Sequence, residues 1–407
     1  MGTIARGLGA ISTLLLTLLI TRTLETNEAG SFLFLLASST ICSQFVNFGS
    51  HNAAIKLVGS KYKSDIDILN QDVWGVFWLI GLCGMFATTI CFFATEFFFK
   101  DYKYITYIFV AGSLLSFIQL LSGCLIGLGR HVVGTMFLNS AVPLLGFLLL
   151  SAGFVFNFYE VQSPFFIYLI CVAVVAILII MFWCSQPSIC WKNTLHISTP
   201  TKQHMAAMYP TVLTQMFNQY SSQFMVATLL SATHFAYISA SVRVSMVVSF
   251  FIMGANLAIS GRLAKLHQDN DIVAIEKLSR FISQVLVIFA TPVCFLIIWQ
   301  AELIMGFFGS SYTEASNVLQ ILVLGQWLNV MAGPVTYVLS MCGHAKILRN
   351  INFFSAAASC VLSIVLTFFF SLLGAAFAVL ITGCITHYLG VYFVKKHLGF
   401  STAVFIK

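Results

Sequence analysis

Stretches of about 20 apolar residues succeed one another along almost the whole chain, and no other feature limits its fold so strongly. A helix of roughly that length crosses the ~30 Å hydrocarbon core of a bilayer. Charged residues make up only 8% of the 407, against about 25% in a soluble domain. A water-facing surface cannot be assembled from so few. The fold expected is therefore an all-α polytopic membrane protein. A hydropathy walk places about twelve transmembrane helices near 8–24, 29–55, 73–95, 104–128, 132–156, 164–185, 206–230, 234–259, 281–301, 317–341, 350–372 and 373–394. The turn between the last two is read at Leu372-Leu373-Gly374.

Charge sets the orientation. With the N-terminus in the cytoplasm, the outer loops hold only Arg22, Lys100 and Lys103. The inner loops collect Arg6, Lys56, Lys61, Lys63, Arg130, Lys192, Lys202, Arg262, Lys265, Lys277, Arg280, Lys346, Arg349, Lys395, Lys396 and Lys407. This is a positive-inside pattern with both termini cytoplasmic. The net charge of +7 is scattered over short loops and forms no continuous basic face, so nucleic acid is not an expected partner. The eleven cysteines include no CxxC pair and sit mostly in apolar stretches, as small buried residues do. The first apolar stretch lacks a clear cleavage site and is read as a retained helix.

The longest polar connector, around 191–205, divides the chain into an N-terminal six-helix bundle (1–190) and a C-terminal one (206–407). The halves share short matches. Asn52-Ala53-Ala54-Ile55 ends the second span and Asn256-Leu257-Ala258-Ile259 the eighth. The fourth span leaves at Leu128-Gly129-Arg130-His131 and the tenth at Cys342-Gly343-His344-Ala345-Lys346. An even number of spans per half gives a parallel repeat, and transporters built this way place substrate at the repeat interface. Gly333-Pro334 lies within the tenth span, where a proline kinks the helix and frees a carbonyl. It is either a packing kink or a hinge.

Polar residues inside the spans carry the functional expectations. Arg243 is the only Lys or Arg well inside a span, and a cation at that depth must face a cavity or a partner. Gln215, Asn218, Gln219, Ser222 and Gln223 follow helical spacing along one face of the seventh span, with Tyr209 and Tyr220 nearby. That face either contacts substrate or joins helices. His51, Asn52 and Lys56 end the second span; Arg6 and Arg22 bracket the first; Asn256 ends the eighth. For Lys56 and Arg6 the competing reading is an ordinary cytoplasmic anchor. Every Asp and Glu falls in or beside a loop, which disfavours a cationic substrate. There is no Walker A sequence, no G-x-S-x-G elbow, no metal-ligand spacing among the nine histidines and no long outer loop, so an enzyme is not expected. His51, His234 and His387 leave proton coupling open. No cofactor is expected, and H+ or Na+ coupling stays undetermined.

Several stretches resemble bacterial polysaccharide-unit flippases. Phe307–Lys346, "FFGSSYTEASNVLQILVLGQWLNVMAGPVTYVLSMCGHAK", resembles a Gly-x-x-(Tyr/Phe) element followed by a Leu-Gly-Gln-x-x-Asn span with Gly-Pro and a terminal Gly-His-x-Lys. Thr21–Phe34, "TRTLETNEAGSFLF", is similar to the family's turn after its first span, Phe235–Val244 to its "xYxxAxR", and Gly374-Ala375-Ala376 to its "GAA" entry. The sequence departs at Thr23–Thr26, where a Gly is usual. The resemblance implies the polysaccharide-transport branch of the multidrug/oligosaccharidyl-lipid/polysaccharide exporter superfamily, O-antigen flippases being the nearest type. It implies two six-helix bundles around a central cavity, alternating access in a bacterial inner membrane, and a monomer. The implied substrate is an undecaprenyl-pyrophosphate-linked oligosaccharide, with a polysaccharide polymerase and a chain-length regulator as partners besides membrane lipids. Arg243 then suits the pyrophosphate, because a guanidinium binds phosphate oxygens in a fork. The alternatives are an ion-coupled small-molecule antiporter of the same fold and a polytopic polyprenyl-glycan enzyme.

Overall fold

The computed structural model describes residues 2–61, 65–97, 104–156, 164–186, 189, 194–269 and 271–403. Lys63, Lys100, Lys103, Glu160, Lys192 and Lys407 lie outside the described residues, as does the side chain of Asn256. The described chain is almost wholly helical, with no strand. Its first part holds α1 (Gly2–Thr23), α2 (Thr26–Asn47), α3 (Ser50–Lys61), α4 (Ile66–Phe97), α5 (Tyr104–Gly127), α6 (His131–Met136), α7 (Val142–Val155) and α8 (Pro164–Cys184). Then follow α9 (Thr199–Leu229), α10 (Ala232–Gln268), α11 (Ile272–Trp299), α12 (Ala301–Gly306), α13 (Ser316–Ala332), α14 (Val335–Met341) and α15 (Ala345–Leu398).

Among the described residues nine helical stretches are long and apolar enough to cross a membrane. Two further long helices, α9 and α10, carry the polar residues noted above. The 54-residue α15 turns at Ser371, whose φ of 52° is non-helical, one residue from the expected turn. Counting α9, α10 and both arms of α15 gives the expected twelve. Two expected spans are not continuous: 317–341 divides into α13 and α14 at Gly333-Pro334, and the second span divides as well. The stretch read as 29–55 is two helices, because Phe48 and Gly49 adopt φ of 49° and 72°. His51, Asn52 and Lys56 therefore sit on a separate helix, α3.

Two compact units emerge. One comprises Met1–Thr23 and Ser31–Met216, the other Leu24–Gly30 and Phe217–Lys407. In the first, small residues line one face of α5 at spacings of four, seven and four, at Gly112, Ser116, Gly123 and Gly127. Such a face admits close helix packing in lipid. A Cβ on Gly123 would stand 2.5 Å from the His51 carbonyl oxygen, and one on Gly127 2.8 Å from that of Ile55. The backbone of α3 thus lies directly on α5. Between α6 and α7 the chain makes a π turn, Phe137–Ala141, before Pro143, which cannot donate to the helix ladder. The Ser140 hydroxyl of that turn bonds the Ala5 carbonyl on α1 at 2.9 Å.

In the second unit α13 packs against α10, α11 and α15. Its polar side chains fasten these neighbours. Ser249 donates to Gln326 at 3.0 Å, Trp327 to Thr291 at 3.0 Å, and Gln320 to the Ile298 carbonyl at 3.1 Å. Gly333 ends α13 with φ 76°. A Cβ there would fall 2.1 Å from the Ser283 hydroxyl, so only glycine fits. The break exposes the Ala332 carbonyl, and Thr402 donates to it at 2.9 Å. Ser283 in turn donates to the Thr402 carbonyl at 2.7 Å. The kink at Gly333-Pro334 is thus closed by protein hydroxyls, as a backbone break in hydrocarbon requires.

Candidate functional site

Arg243 is the twelfth residue of α10, about 17 Å along the helix axis at 1.5 Å per residue. It is half-buried and has no carboxylate partner among the described residues. One turn earlier, Ser239 is buried with a hydroxyl that finds no partner. From α9, the Tyr220 hydroxyl comes within electrostatic reach of the guanidinium. Ser239 and Arg243, four residues apart, share one face of α10, with the phenol of Tyr220 within electrostatic range. Such a set supplies donors, which suits anionic oxygen better than a cation.

The polar face expected on α9 divides. Asn218 donates to the Asn352 carbonyl at 3.3 Å, and Ser222 to the Ala375 carbonyl at 2.7 Å. Ser221 bonds Ser359 at 2.5 Å and lies 3.3 Å from Ser363. These three join α9 to α15 as interhelical contacts. Gln215 and Gln219 are exposed, and Gln223 is buried; spaced by four, they run along the other edge of the face. Exposed amides on a membrane helix need water or a polar ligand. They are the part of α9 available to a solute.

The trio on α3 also separates. Asn52 and Lys56 are exposed and, four residues apart, point the same way. His51 turns toward α5, where its Nδ1 donates to the Gln119 carbonyl at 2.8 Å. It belongs to a network not expected from the sequence. Asn47 donates to Gln119 Oε1 at 2.8 Å, and its own Oδ1 accepts from Ser50 and from the His51 amide. Gln119 donates to Ser43 at 2.9 Å. The spacing of small residues around Gln119 on α5 was the available clue to this joint. Arg6 is half-buried on α1, and Arg22 is exposed in its last turn.

One carboxylate is placed differently from its expected loop position. Asp72 lies inside α4 and is 2% exposed, the only buried Asp or Glu among the described residues. It accepts from the Ser198 amide at 2.6 Å, the Ser198 hydroxyl at 2.7 Å and Thr201 at 2.7 Å. These donors stand at the start of α9, where a negative charge stabilises the helix end. Asp72 also lines a small cavity with Ser50, Leu69, Leu120 and Met205, with room for about one water. Its oxygens are taken up by the helix end, so it is a structural cap.

The comparisons with known proteins agree with this architecture. Residues 207–368 match the MatE family model. No curated protein matches the chain in sequence. Among solved structures, an inward-facing multidrug resistance MATE family transporter of the MOP superfamily superposes with a TM-score of 0.76 at 12% identity, over 98% of both chains. Lipid II flippase MurJ in an inward closed conformation gives 0.72 at 16% identity, over 97% of this chain and 87% of its own. A MOP superfamily transporter from Pyrococcus furiosus, described as having a binding pocket of reverse polarity, gives 0.65 at 12% identity, over 98% and 96%. The chain has the fold of the MATE-type transporters it superposes on, and its series of long apolar helices makes it a multi-pass membrane protein.

Proposed function

We propose that the chain is a flippase that moves an undecaprenyl-pyrophosphate-linked oligosaccharide, an O-antigen or related surface-polysaccharide unit, from the cytoplasmic to the outer leaflet of a bacterial inner membrane. The observation that carries this reading is Arg243. It puts a cation in the apolar middle of the second unit beside Tyr220, while the only buried carboxylate described, Asp72, is consumed as a helix cap. A site for cationic drugs needs the opposite polarity. The Pyrococcus furiosus relative, with its reverse-polarity pocket, is precedent within the fold for a different function. A lipid II flippase of the same fold supports a lipid-linked substrate. Arg243 binds the pyrophosphate, while Gln215, Gln219 and Gln223 on α9 meet sugar hydroxyls. Asn52, Lys56, Arg6 and Arg22 supply further donors along the path. Both termini lie in the cytoplasm.

The test is surface-polysaccharide export in a strain lacking its own copy of the gene, with protein level measured in parallel. Losing one or two charge-assisted bonds, each about 1.5–3 kcal/mol, lowers affinity about tenfold or more. Arg243→Ala therefore abolishes or strongly reduces export at normal protein level. Arg243→Lys restores part of it, since a point charge keeps the attraction and loses the fork. Full export by Arg243→Ala contradicts the reading.

A further inference from the structure

The end of the second unit formed by α14 and both ends of α15 carries a feature that transport does not use. From Ala315 to Lys407 the chain contains no Asp or Glu, and its cations are Lys346, Arg349, Lys395, Lys396 and Lys407. The first two open α15 and the next two close it, so the hairpin at Ser371 returns them to the same end. There His344 and His397 meet, ring centroids 5.1 Å apart and planes at 64°. Each imidazole is oriented by its own backbone. His344 Nδ1 donates to the Cys342 carbonyl at 2.8 Å, and His397 Nδ1 to the Phe393 carbonyl at 3.1 Å. A carbonyl only accepts, so each Nδ1 carries a proton, and both Nε2 edges are left for other contacts.

This platform is rigid. Cys342 belongs to a buried core with Leu263, Ile275, Val338 and Val394, and Phe393 packs against that core. His267 of α10 adds a third imidazole; a Cβ on Gly343 would stand 3.5 Å from its Nε2. The α10–α11 turn and α11 carry three acids, Asp269, Asp271 and Glu276, of which two are occupied. Asp271 caps α11 through the Ala274 amide at 2.9 Å, and Glu276 pairs with Arg280 at 2.9 Å. Lys346, Arg349 and Lys396 are exposed. Just inside this end, Phe353, Phe354 and Tyr392 are 67%, 59% and 58% exposed. Lys346, Arg349 and Phe353 follow i, i+3, i+7 spacing and Lys396 lies one turn beyond Tyr392, so cations and exposed aromatic side chains share helix faces, the pattern that an anionic amphiphile matches. That combination selects a lipid over a free anion, which would leave the aromatic band uncovered.

We propose that this end of the second unit binds the headgroup phosphate of an anionic phospholipid. Lys346, Arg349 and Lys396 supply the charge, the His344–His397 pair forms the floor, and the acyl chains lie along Phe353, Phe354 and Tyr392. Loose juxtamembrane cations attract anionic lipid through the surface potential alone; here fixed imidazoles and a packed core hold the cations about one place.

The experiment is native mass spectrometry of the purified full chain in detergent. It is mixed with equal amounts of phosphatidylglycerol and phosphatidylcholine of the same acyl chains. The wild-type chain retains phosphatidylglycerol in preference. Lys346→Gln/Lys396→Gln lowers that preference about 25-fold, at about fivefold per cation. His344→Gln/His397→Gln lowers it two- to threefold. Arg130→Gln/Lys202→Gln, which removes two exposed cations of the first unit, leaves it unchanged. Equal retention of the two lipids by the wild-type chain overturns the proposal. So does an equal loss in the Arg130/Lys202 variant, which reduces the effect to net charge. Displacement of the lipid by millimolar inorganic phosphate overturns the lipid source in favour of a free anion. None of these variants touches Arg243, so the result stands apart from the flippase reading.

Discussion

Each compact unit contains one helix broken in its interior, and the two breaks are held in opposite ways. In the first unit α2 gives way to α3 at Phe48-Gly49, and the gap is spanned by amides and an imidazole: Asn47, Gln119 and His51. In the second, α13 gives way to α14 at Gly333-Pro334, and two hydroxyls, Ser283 and Thr402, close it. The second break is local: glycine supplies the positive φ, proline removes a donor, and the orphaned carbonyl gets one partner. The first places Phe48, with a full side chain, at φ 49°, which costs on the order of 1–3 kcal/mol. Its surroundings must outweigh that strain. They include the Phe48–Tyr209 ring contact at 5.6 Å and the three-residue polar network. One break is written in its own dipeptide, and the other is imposed by neighbours distant in sequence.

The largest effect expected from this comparison comes at Gly333. Gly333→Val meets both a positive φ and the Ser283 hydroxyl, and is expected to cost about 3 kcal/mol or more. Folded, monodisperse protein recovered in detergent is lost or sharply reduced. Normal yield and thermal stability contradict the account of that break. Next is Gln119→Leu, which removes the acceptor for the buried Asn47 and the donor to the buried Ser43. A cost of about 2–3 kcal/mol is expected from the unpaired groups, read as an earlier thermal transition. The same substitution at Gln215, exposed on α9, leaves the transition in place. Smallest is Thr402→Val, which deprives the Ala332 carbonyl of its one donor and costs about 1–2 kcal/mol. If Thr402→Val proves worse than Gln119→Leu, the contrast between a local break and an imposed one is reversed.

The sequence was legible where the physics is local. Stretches of 20 apolar residues must be helices in lipid, and the hairpin inside α15 and the Gly-Pro break follow from residues a few positions apart. The break at Phe48 was not legible, because Phe is no helix breaker and the cause lies on α5. Asp72 was read beside a loop because it sits at the edge of an apolar stretch. That it caps α9 depends on Ser198 and Thr201, over a hundred residues away. On α9 the spacing gave a polar face correctly. It did not say that Asn218 and Ser222 bond α15 while Gln215 and Gln219 stay open, since that depends on where α15 packs.

The central claim is that the polarity around Arg243 selects an anionic, lipid-linked substrate. Its most direct test is transport by the purified chain in proteoliposomes, offered in parallel a polyprenyl-pyrophosphate-linked oligosaccharide and a lipophilic cationic dye. The account predicts translocation of the lipid-linked glycan, lost in Arg243→Ala and partly kept in Arg243→Lys, with no uptake of dye by any of the three. Dye transport by the wild-type chain that survives Arg243→Ala, with no movement of the glycan, would contradict it.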